Sequence, residues 1–139
     1  MTDHERTEWR DLEMSKRHRR WGHNCPITDI DFLVVEYDRC QPVALVEYKH
    51  ENAAKFTRND PNYRTLINLG RVADLPTFSV RYAGNFSWWI VTPLNQQAKR
   101  KLGKQDKMTE KQYVSFLYRL RDRELPVFLF NGEKLRGEQ

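Results

Sequence analysis

The sequence predicts a single α+β domain in which helices flank a central mixed β-sheet. Two apolar, β-rich runs at residues 30–37 and 42–48 are separated by a short polar turn and predict an antiparallel hairpin. A second hairpin is predicted over residues 77–92, where alternating apolar and polar positions turn at Gly84. Helical patterns precede, separate and follow the two hairpins. One layered domain over residues 1–139 therefore accounts for the whole chain.

Three helices are predicted from capping residues and apolar spacing. The first covers residues 2–20, where Thr2 and Glu5 form a capping box and a glycine follows the last turn. The second begins at Asp60, whose side chain can cap the helix ahead of a proline, and ends before residue 76. The third begins at Thr109 with another capping box. Each helix carries an apolar stripe that needs a partner surface.

The remaining segments are predicted to be connections and edges. Residues 99–107 are predicted to be a basic connector, and residues 126–130 to form an edge strand. Both runs of the first hairpin are apolar over most of their length and do not alternate strictly. That hairpin is therefore predicted to be central, with helices on both faces.

Composition limits the class of protein. The chain has 139 residues, of which 39% are hydrophobic, which suffices for one core and excludes two independent catalytic domains. Lysine and arginine number 24 against 19 acidic residues, and the formal charge of +5 favours a polyanionic partner such as nucleic acid. No apolar run approaches the roughly 20 residues that a bilayer requires. We expect no membrane partner and, from the polar N-terminus, a cytoplasmic protein.

Cys25 and Cys40 lack the paired spacing of a zinc or redox motif. A domain of this size does not depend on a disulfide for stability. We therefore expect two ordinary thiols.

Acidic and basic side chains converge at one end of the first predicted hairpin. Glu47 and Lys49 lie two residues apart on a strand, so they project from the same face. Asp29 and Asp31 share a face at the start of the neighbouring strand, which antiparallel pairing brings beside them. Carboxylates this close repel each other, and a divalent cation with oxygen ligands relieves the repulsion. Mg²⁺ or Mn²⁺ suits such a site.

This pattern resembles the PD-(D/E)xK nucleases, in particular small stand-alone members carried by phages and the enzymes that resolve DNA junctions. An aspartate is followed, after a turn, by the triplet Glu47-Tyr48-Lys49 at the end of an apolar strand. The resemblance covers the order of elements over roughly residues 1–92. It implies a restriction-endonuclease-like core and a metal-dependent endonuclease that hydrolyses DNA phosphodiester bonds.

The resemblance also implies roles for individual residues. Asp31 and Glu47 would bind the metal, the backbone carbonyl of Tyr48 would be a further ligand, and Lys49 would orient or activate the attacking water. Asp29 is an alternative or additional ligand, and Asp31 is favoured because the apolar strand begins directly after it. Relatives often place an acidic residue of the first helix near the metal, and the candidates here are Glu5, Glu8 and Glu13.

A basic stretch is the predicted contact surface for DNA. Residues 99–123 contain nine basic side chains and three acidic ones, a local charge of +6. Such a stretch neutralises phosphates without reading bases. RNA remains an alternative substrate, and a homodimer would supply a second site for the second strand. The residues predicted to bind nucleic acid are Lys99, Arg100, Lys101, Lys104 and Lys107.

Two other classes of function compete with a nuclease. A catalytically inactive protein with the same fold would use Lys49 and the basic stretch for phosphate contact alone. A glycosyltransferase would use Asp29 and Asp31 as a metal-binding DxD motif. The chain is too short for a nucleotide-binding domain and has no glycine-rich phosphate loop, which disfavours that third class.

Overall fold

The computed structural model describes residues 12–22, 28, 30–54 and 59–130. Two short 3₁₀ turns, Tyr37–Arg39 and Val127–Phe130, accompany the regular elements. In chain order these elements are α1 (Leu12–Arg20), β1 (Phe32–Glu36), β2 (Gln41–His50), α2 (Pro61–Ala73), β3 (Thr77–Tyr82), β4 (Trp89–Pro93), α3 (Gln96–Lys101), β5 (Asp106–Met108) and α4 (Glu110–Leu120).

The strands form one mixed sheet in the order β1-β2-β3-β4-β5. Strands β2 and β3 are parallel, and the other neighbours are antiparallel. Helix α2 makes the crossover that a parallel pair requires. The prediction of an α+β protein with a central mixed sheet and flanking helices is confirmed. None of the helices in the described ranges is long and apolar enough to cross a membrane.

The first hairpin has the predicted antiparallel pairing, but only one of its strands is central. Phe32 pairs with Val46, and the register shifts between Val34 and Val35. Within the described sheet β1 is an edge strand, and 56% of Phe32 and 46% of Leu33 are exposed. The prediction of a hairpin covered on both faces is therefore correct for β2 and wrong for β1. An apolar run signals β-structure but not the number of its neighbours.

Successive residues of β2 and β3 supply the two faces of the sheet. On one face, side chains from four strands meet helices α3 and α4 in the main core, whose members include Ala44, Val46, Phe78, Val80, Val91, Ala98, Met108, Tyr113, Phe116 and Leu120. On the other face, α2 lies over Leu45 with Tyr63 and Leu66 buried. The functional side chains of β2 belong to this second face.

Helix α2 packs closely on β3 because Gly70 has no side chain. A Cβ atom at this position would overlap the side-chain oxygen of Thr77 and crowd the amide of Asn95. The buried Asn95 occupies the space beside it, donating to the carbonyl of Leu75 at 2.9 Å and accepting from the amide of Ala98 at 2.8 Å. Asn95 therefore caps α3 and fixes it against the end of α2.

The end of β1 is bound to the chain that follows α4. Glu36 is 1% exposed, and its carboxylate accepts two hydrogen bonds from Arg123, Nε at 2.8 Å and Nη2 at 2.9 Å. Arg121 Nε donates to the same carboxylate at 3.3 Å, and Arg123 also reaches Asp38 at 3.1 Å. These hydrogen bonds from Arg123, and then those from the amide of Asp38 and from Arg121, lower the pKa of Glu36 from 4.5 to about 2.

The helix caps predicted from the sequence are confirmed at α2 and α4. Asp60 accepts from the amide of Asn62, and Thr109 and Gln112 form the reciprocal capping box. For the first helix, α1 ends before Gly22 as predicted, with φ of that glycine at +86°. The predicted capping box at the start of that helix lies outside the described residues, as does Cys25. Cys40 is a free, exposed thiol, as expected.

Two short segments differ from the prediction. The predicted basic connector, residues 99–107, overlaps the second half of helix α3 and most of strand β5. Residues 126–130 do not form the predicted edge strand, because Val127–Phe130 is a 3₁₀ turn with Val127 88% exposed. An apolar run of this length fits either structure, and none of the strands in the described ranges pairs with it to fix it as β.

Candidate functional site

The predicted acidic and basic residues meet beside the second half of β2. Glu47 and Lys49 project from the face that α2 covers, and Asp31 directly precedes β1. The backbone amide of Tyr48 donates to Oδ2 of Asp31 at 3.2 Å. This hydrogen bond holds the Asp31 carboxylate beside β2, next to Glu47.

The pKa of Glu47 is raised by its surroundings in the site. Burial raises the pKa of Glu47 most, and the negative charge of Asp31 raises it further. Lys49 opposes both effects, because its Nζ lies 3.5 Å from Oε2 of Glu47. The side chain of Glu47 is 21% exposed and that of Lys49 is 36% exposed. Two carboxylates and one ammonium thus share a half-buried site open to solvent.

This donor set fits a hard divalent cation. Carboxylate oxygens are the ligands that Mg²⁺ and Mn²⁺ prefer, and Mg²⁺ commonly takes one or two of them and completes its octahedron with water and substrate oxygens. Among the described residues no group of three or more His, Cys, Asp or Glu side chains converges. Asp31 and Glu47 are two such ligands that lie close together beside a lysine. The other predicted ligand, Asp29, lies outside the described residues.

A buried tyrosine supports the strand that carries Glu47. The hydroxyl of Tyr63 donates to Oγ of Ser79 at 2.7 Å, and Ser79 pairs with Glu47 across β2 and β3. Burial, and to a smaller extent the charge of Glu47, raises the pKa of Tyr63 to about 12. Tyr63 therefore remains a neutral phenol at physiological pH. It packs α2 onto the sheet behind the site.

Arg81 organises the loop that follows β2. Its Nη1 donates to the carbonyls of His50 at 3.0 Å, Glu51 at 3.2 Å and Ala53 at 3.0 Å. Arg81 pairs with Lys49 in the sheet, so both cationic side chains stand on the same face. The guanidinium therefore fixes the loop and adds positive charge next to Lys49.

Ser79 and Arg81 are site residues that the sequence analysis did not single out. They are the polar positions of an alternating strand whose apolar positions are buried. The available signal was that α2 separates two strands, since such a helix commonly joins parallel neighbours. With β3 placed beside β2, its polar positions fall next to Glu47 and Lys49.

The predicted nucleic-acid contacts are divided between the two faces of the sheet. Ala98 packs in the core on the face opposite Glu47, so α3 lies on that opposite side. The basic residues of α3 and of the following loop are all exposed: Lys99, Arg100, Lys101 and Lys104. The structure does not bring these four residues to the face of Glu47.

Lys107 lies on the same face as the candidate site. It pairs with Ile90, which pairs with Arg81, which pairs with Lys49. Paired residues share a face, so this row crosses from β2 to β5 over about 14 Å, three strand spacings. The ammonium of Lys107 lies 5.5 Å from the ring centre of Trp88. Positive charge thus stands at both ends of the row.

Two basic residues of the predicted stretch have structural partners. Arg121 and Arg123 bind the buried Glu36. Their charge is compensated at the end of β1, so they contribute less to a phosphate-binding surface than the sequence count suggests.

The structure combines a mixed sheet with an acidic pair and a lysine near the end of a central strand. Comparison of the chain with known protein families, with curated proteins and with solved structures finds no match.

Proposed function

We propose that this protein is a metal-dependent nuclease of the PD-(D/E)xK type that hydrolyses internal phosphodiester bonds of DNA. The observation that carries the proposal is the meeting of Asp31, Glu47 and Lys49 at one strand end, with the pKa of Glu47 raised by burial and by Asp31. A mixed sheet with a helix crossover is compatible with a restriction-endonuclease-like core. The formal charge of +5 suits a polyanionic substrate.

In this proposal Asp31 and Glu47 hold Mg²⁺ or Mn²⁺, with the carbonyl of Tyr48 and the side chain of Asp29 as further ligands. When bound, the cation polarises the phosphodiester and lowers the pKa of a coordinated water. The like charges of the two carboxylates, which disfavour each other in the protein alone, become an advantage when a dication binds.

Lys49 acts on the water and on the phosphate. The side chain of Lys49 is 36% exposed and its ammonium lies 3.5 Å from Oε2 of Glu47, within reach of a molecule bound at the acidic pair. A positioned cation of this kind orients the attacking water and offsets the negative charge that develops on the phosphate in the transition state. Arg81 holds the adjacent loop in place, so Lys49 acts from a fixed backbone.

Substrate binding in this proposal uses backbone charge. Lys107 extends the cationic row on the face of the site, and the exposed cations Lys99, Arg100, Lys101 and Lys104 add contacts outside that face. Phosphate contacts of this type give salt-dependent binding with little sequence preference. A homodimer would provide a second site for the opposite strand.

The test is cleavage of supercoiled plasmid by the purified protein with Mg²⁺, with Mn²⁺ and with EDTA. Asp31→Asn, Glu47→Gln and Lys49→Ala are each expected to lower the nicking rate by roughly 100-fold or more, because each removes a group that acts in the transition state. Glu124→Gln and Lys16→Ala change the same charges at exposed positions and are expected to cleave like the parent protein.

Equal cleavage by the parent and all three site variants would overturn the proposal, and so would undiminished cleavage in EDTA. Binding of plasmid without cleavage in either metal would favour the alternative, a nucleic-acid-binding protein without catalysis. If the protein released mononucleotides from linear DNA but left a circular plasmid intact, the activity would be that of an exonuclease and not of an endonuclease.

A further inference from the structure

An aromatic cavity lies on the face of the sheet opposite Glu47. Its volume is about 400 Å³, within the range of small-ligand sites. The sheet and the first turns of α4 line it, and it is open to solvent. Of the residues that the structure describes, nine line it, and six of these are aromatic: Phe32, Tyr48, Tyr82, Phe86, Trp89, Glu110, Tyr113, Val114 and Leu117.

Four of the rings pack against one another; three of their pairs are nearly parallel, whereas the planes of Tyr82 and Trp89 differ by 31°. The planes of Tyr82 and Phe86 differ by 10°, those of Phe86 and Trp89 by 23°, and those of Trp89 and Tyr113 by 12°. Their centroids are 4.9 to 5.8 Å apart, the spacing of offset stacking. Together these rings present flat aromatic surface against which a further flat ring can pack.

The opposite side of the cavity has a different ring arrangement. Phe32 meets Tyr48 edge to face, with centroids 4.9 Å apart. Phe32 is 56% exposed and Phe86 is 39% exposed, so these two phenylalanines form the open rim. The cavity therefore admits a ligand from solvent between two aromatic side chains.

A small number of polar groups accompany the rings. The hydroxyls of Tyr48 and Tyr113 are hydrogen-bonded to each other. The indole N–H of Trp89 is buried, and the described residues provide it with no acceptor. Glu110 is the acidic member of the lining. Stacking surface with few polar groups and a carboxylate suits an uncharged heterocycle better than an anionic group.

We propose that this cavity binds a nucleobase. A flat heteroaromatic ring fits against the aromatic walls. A protein with a formal charge of +5 attracts phosphate-bearing ligands, and in nucleotides and nucleic acids such a ring is joined to phosphate through a sugar. The base can belong to a free nucleotide or can be an unpaired base of a strand. The second source rests on the proposed nuclease function, whereas the recognition of the ring does not.

The cavity and the candidate site are lined by residues that are adjacent in sequence. Phe32 lines the cavity and Asp31 lies in the site. Likewise Tyr48 lines the cavity, and its sequence neighbours Glu47 and Lys49 lie in the site. The alternation of strand residues sends these neighbours to opposite faces. A base in the cavity would therefore hold the segments that carry the acidic pair.

Calorimetric titration with adenosine 5′-monophosphate and with ribose 5-phosphate tests the proposal. The nucleotide is expected to bind and the base-free sugar phosphate is not. Phe86→Ala and Phe32→Ala are each expected to weaken nucleotide binding by roughly tenfold, the scale of one lost stacking contact. Phe128→Ala removes a phenylalanine that is 71% exposed outside the cavity and should bind like the parent.

Single-stranded oligonucleotides with and without one abasic position distinguish the two sources of the base. Tighter binding of the intact strand than of the nucleotide, lost on removal of a base, assigns the cavity to a base within a strand. Glu47→Gln is expected to keep nucleotide binding, which separates this inference from the nuclease proposal. Equal binding of ribose 5-phosphate, or no binding of nucleotide and oligonucleotide at millimolar concentration, would overturn it.

Discussion

Glu47 is held in a position that costs the folded protein free energy. Its carboxylate is half-buried, and among the described residues the charges that act on it most are those of Asp31 and Lys49. The raised pKa means that burial and repulsion outweigh the attraction of the ammonium. Groups with this imbalance occur more often at functional sites than in purely structural ion pairs.

Replacement of Glu47 by glutamine is therefore expected to stabilise the metal-free protein at pH 7. A carboxyl with a raised pKa in the folded state contributes most favourably below pH 4.5, its ordinary value, and that contribution is lost as the pH rises through the raised pKa. The neutral amide avoids the loss. Thermal unfolding in EDTA should give a higher Tm for Glu47→Gln than for the parent, with Glu124→Gln unchanged. A lower Tm would show that the Lys49 pair dominates instead.

The elements differ in how much of them the sequence specifies. Helices α2 and α4 are predicted at their first residues, because Asp60 and Thr109 cap backbone amides by local hydrogen bonds. Helix α3 and strand β5 have six and three residues, too few for a periodic signal, and only contacts distant in sequence define them. The parallel pairing of β2 with β3 is likewise a tertiary feature.

The candidate site shows the same division. Glu47 and Lys49 could be predicted because a strand puts alternate residues on one face, and Asp31 because a hairpin has a local register. Ser79 and Arg81 could not, since they reach the site through the order of strands in the sheet. The side of the sheet on which α3 lies is also decided by packing.

Packing between elements leaves no room for a side chain at Gly70 of α2. In Gly70→Ala the new methyl group would overlap the side chain of Thr77 beside the buried Asn95. We expect a loss of about 1–3 kcal/mol in the free energy of unfolding, measured by urea denaturation. Gly103→Ala is the control, because a Cβ there meets nothing within 4 Å. Equal stability of the two variants would contradict the close approach of α2 and β3.

At the scale of the whole molecule, Glu36 connects parts of the chain that are far apart in sequence. The carboxylate at the end of β1 binds Arg123, 87 residues later, beyond α4. The sheet edge and the last helix are thereby held together by charge-assisted hydrogen bonds. Two of the positive charges in the basic stretch, those of Arg121 and Arg123, therefore stabilise the fold.

Acid should release this connection. A carboxyl whose pKa falls from 4.5 to about 2 on folding contributes stability above pH 4.5 and loses it as the pH falls toward 2. Glu36→Gln is expected to have a lower Tm than the parent at pH 7, and the difference should shrink between pH 4.5 and pH 2. Tm values measured across this range check the prediction, with Glu124→Gln as the control. A difference that is the same at all pH values would rule out the ion pair as its cause.

A metal site formed by Asp31 and Glu47 is tested most directly by calorimetric titration of the protein with Mn²⁺ in the absence of DNA. We expect the parent protein to bind Mn²⁺, the affinity to fall roughly tenfold or more in Asp31→Asn and in Glu47→Gln, and Glu124→Gln to bind like the parent. Lys49→Ala should bind the metal as well as the parent or better, because the ammonium competes for Glu47. Equal Mn²⁺ affinity in the parent and both acidic variants would contradict a metal site formed by Asp31 and Glu47.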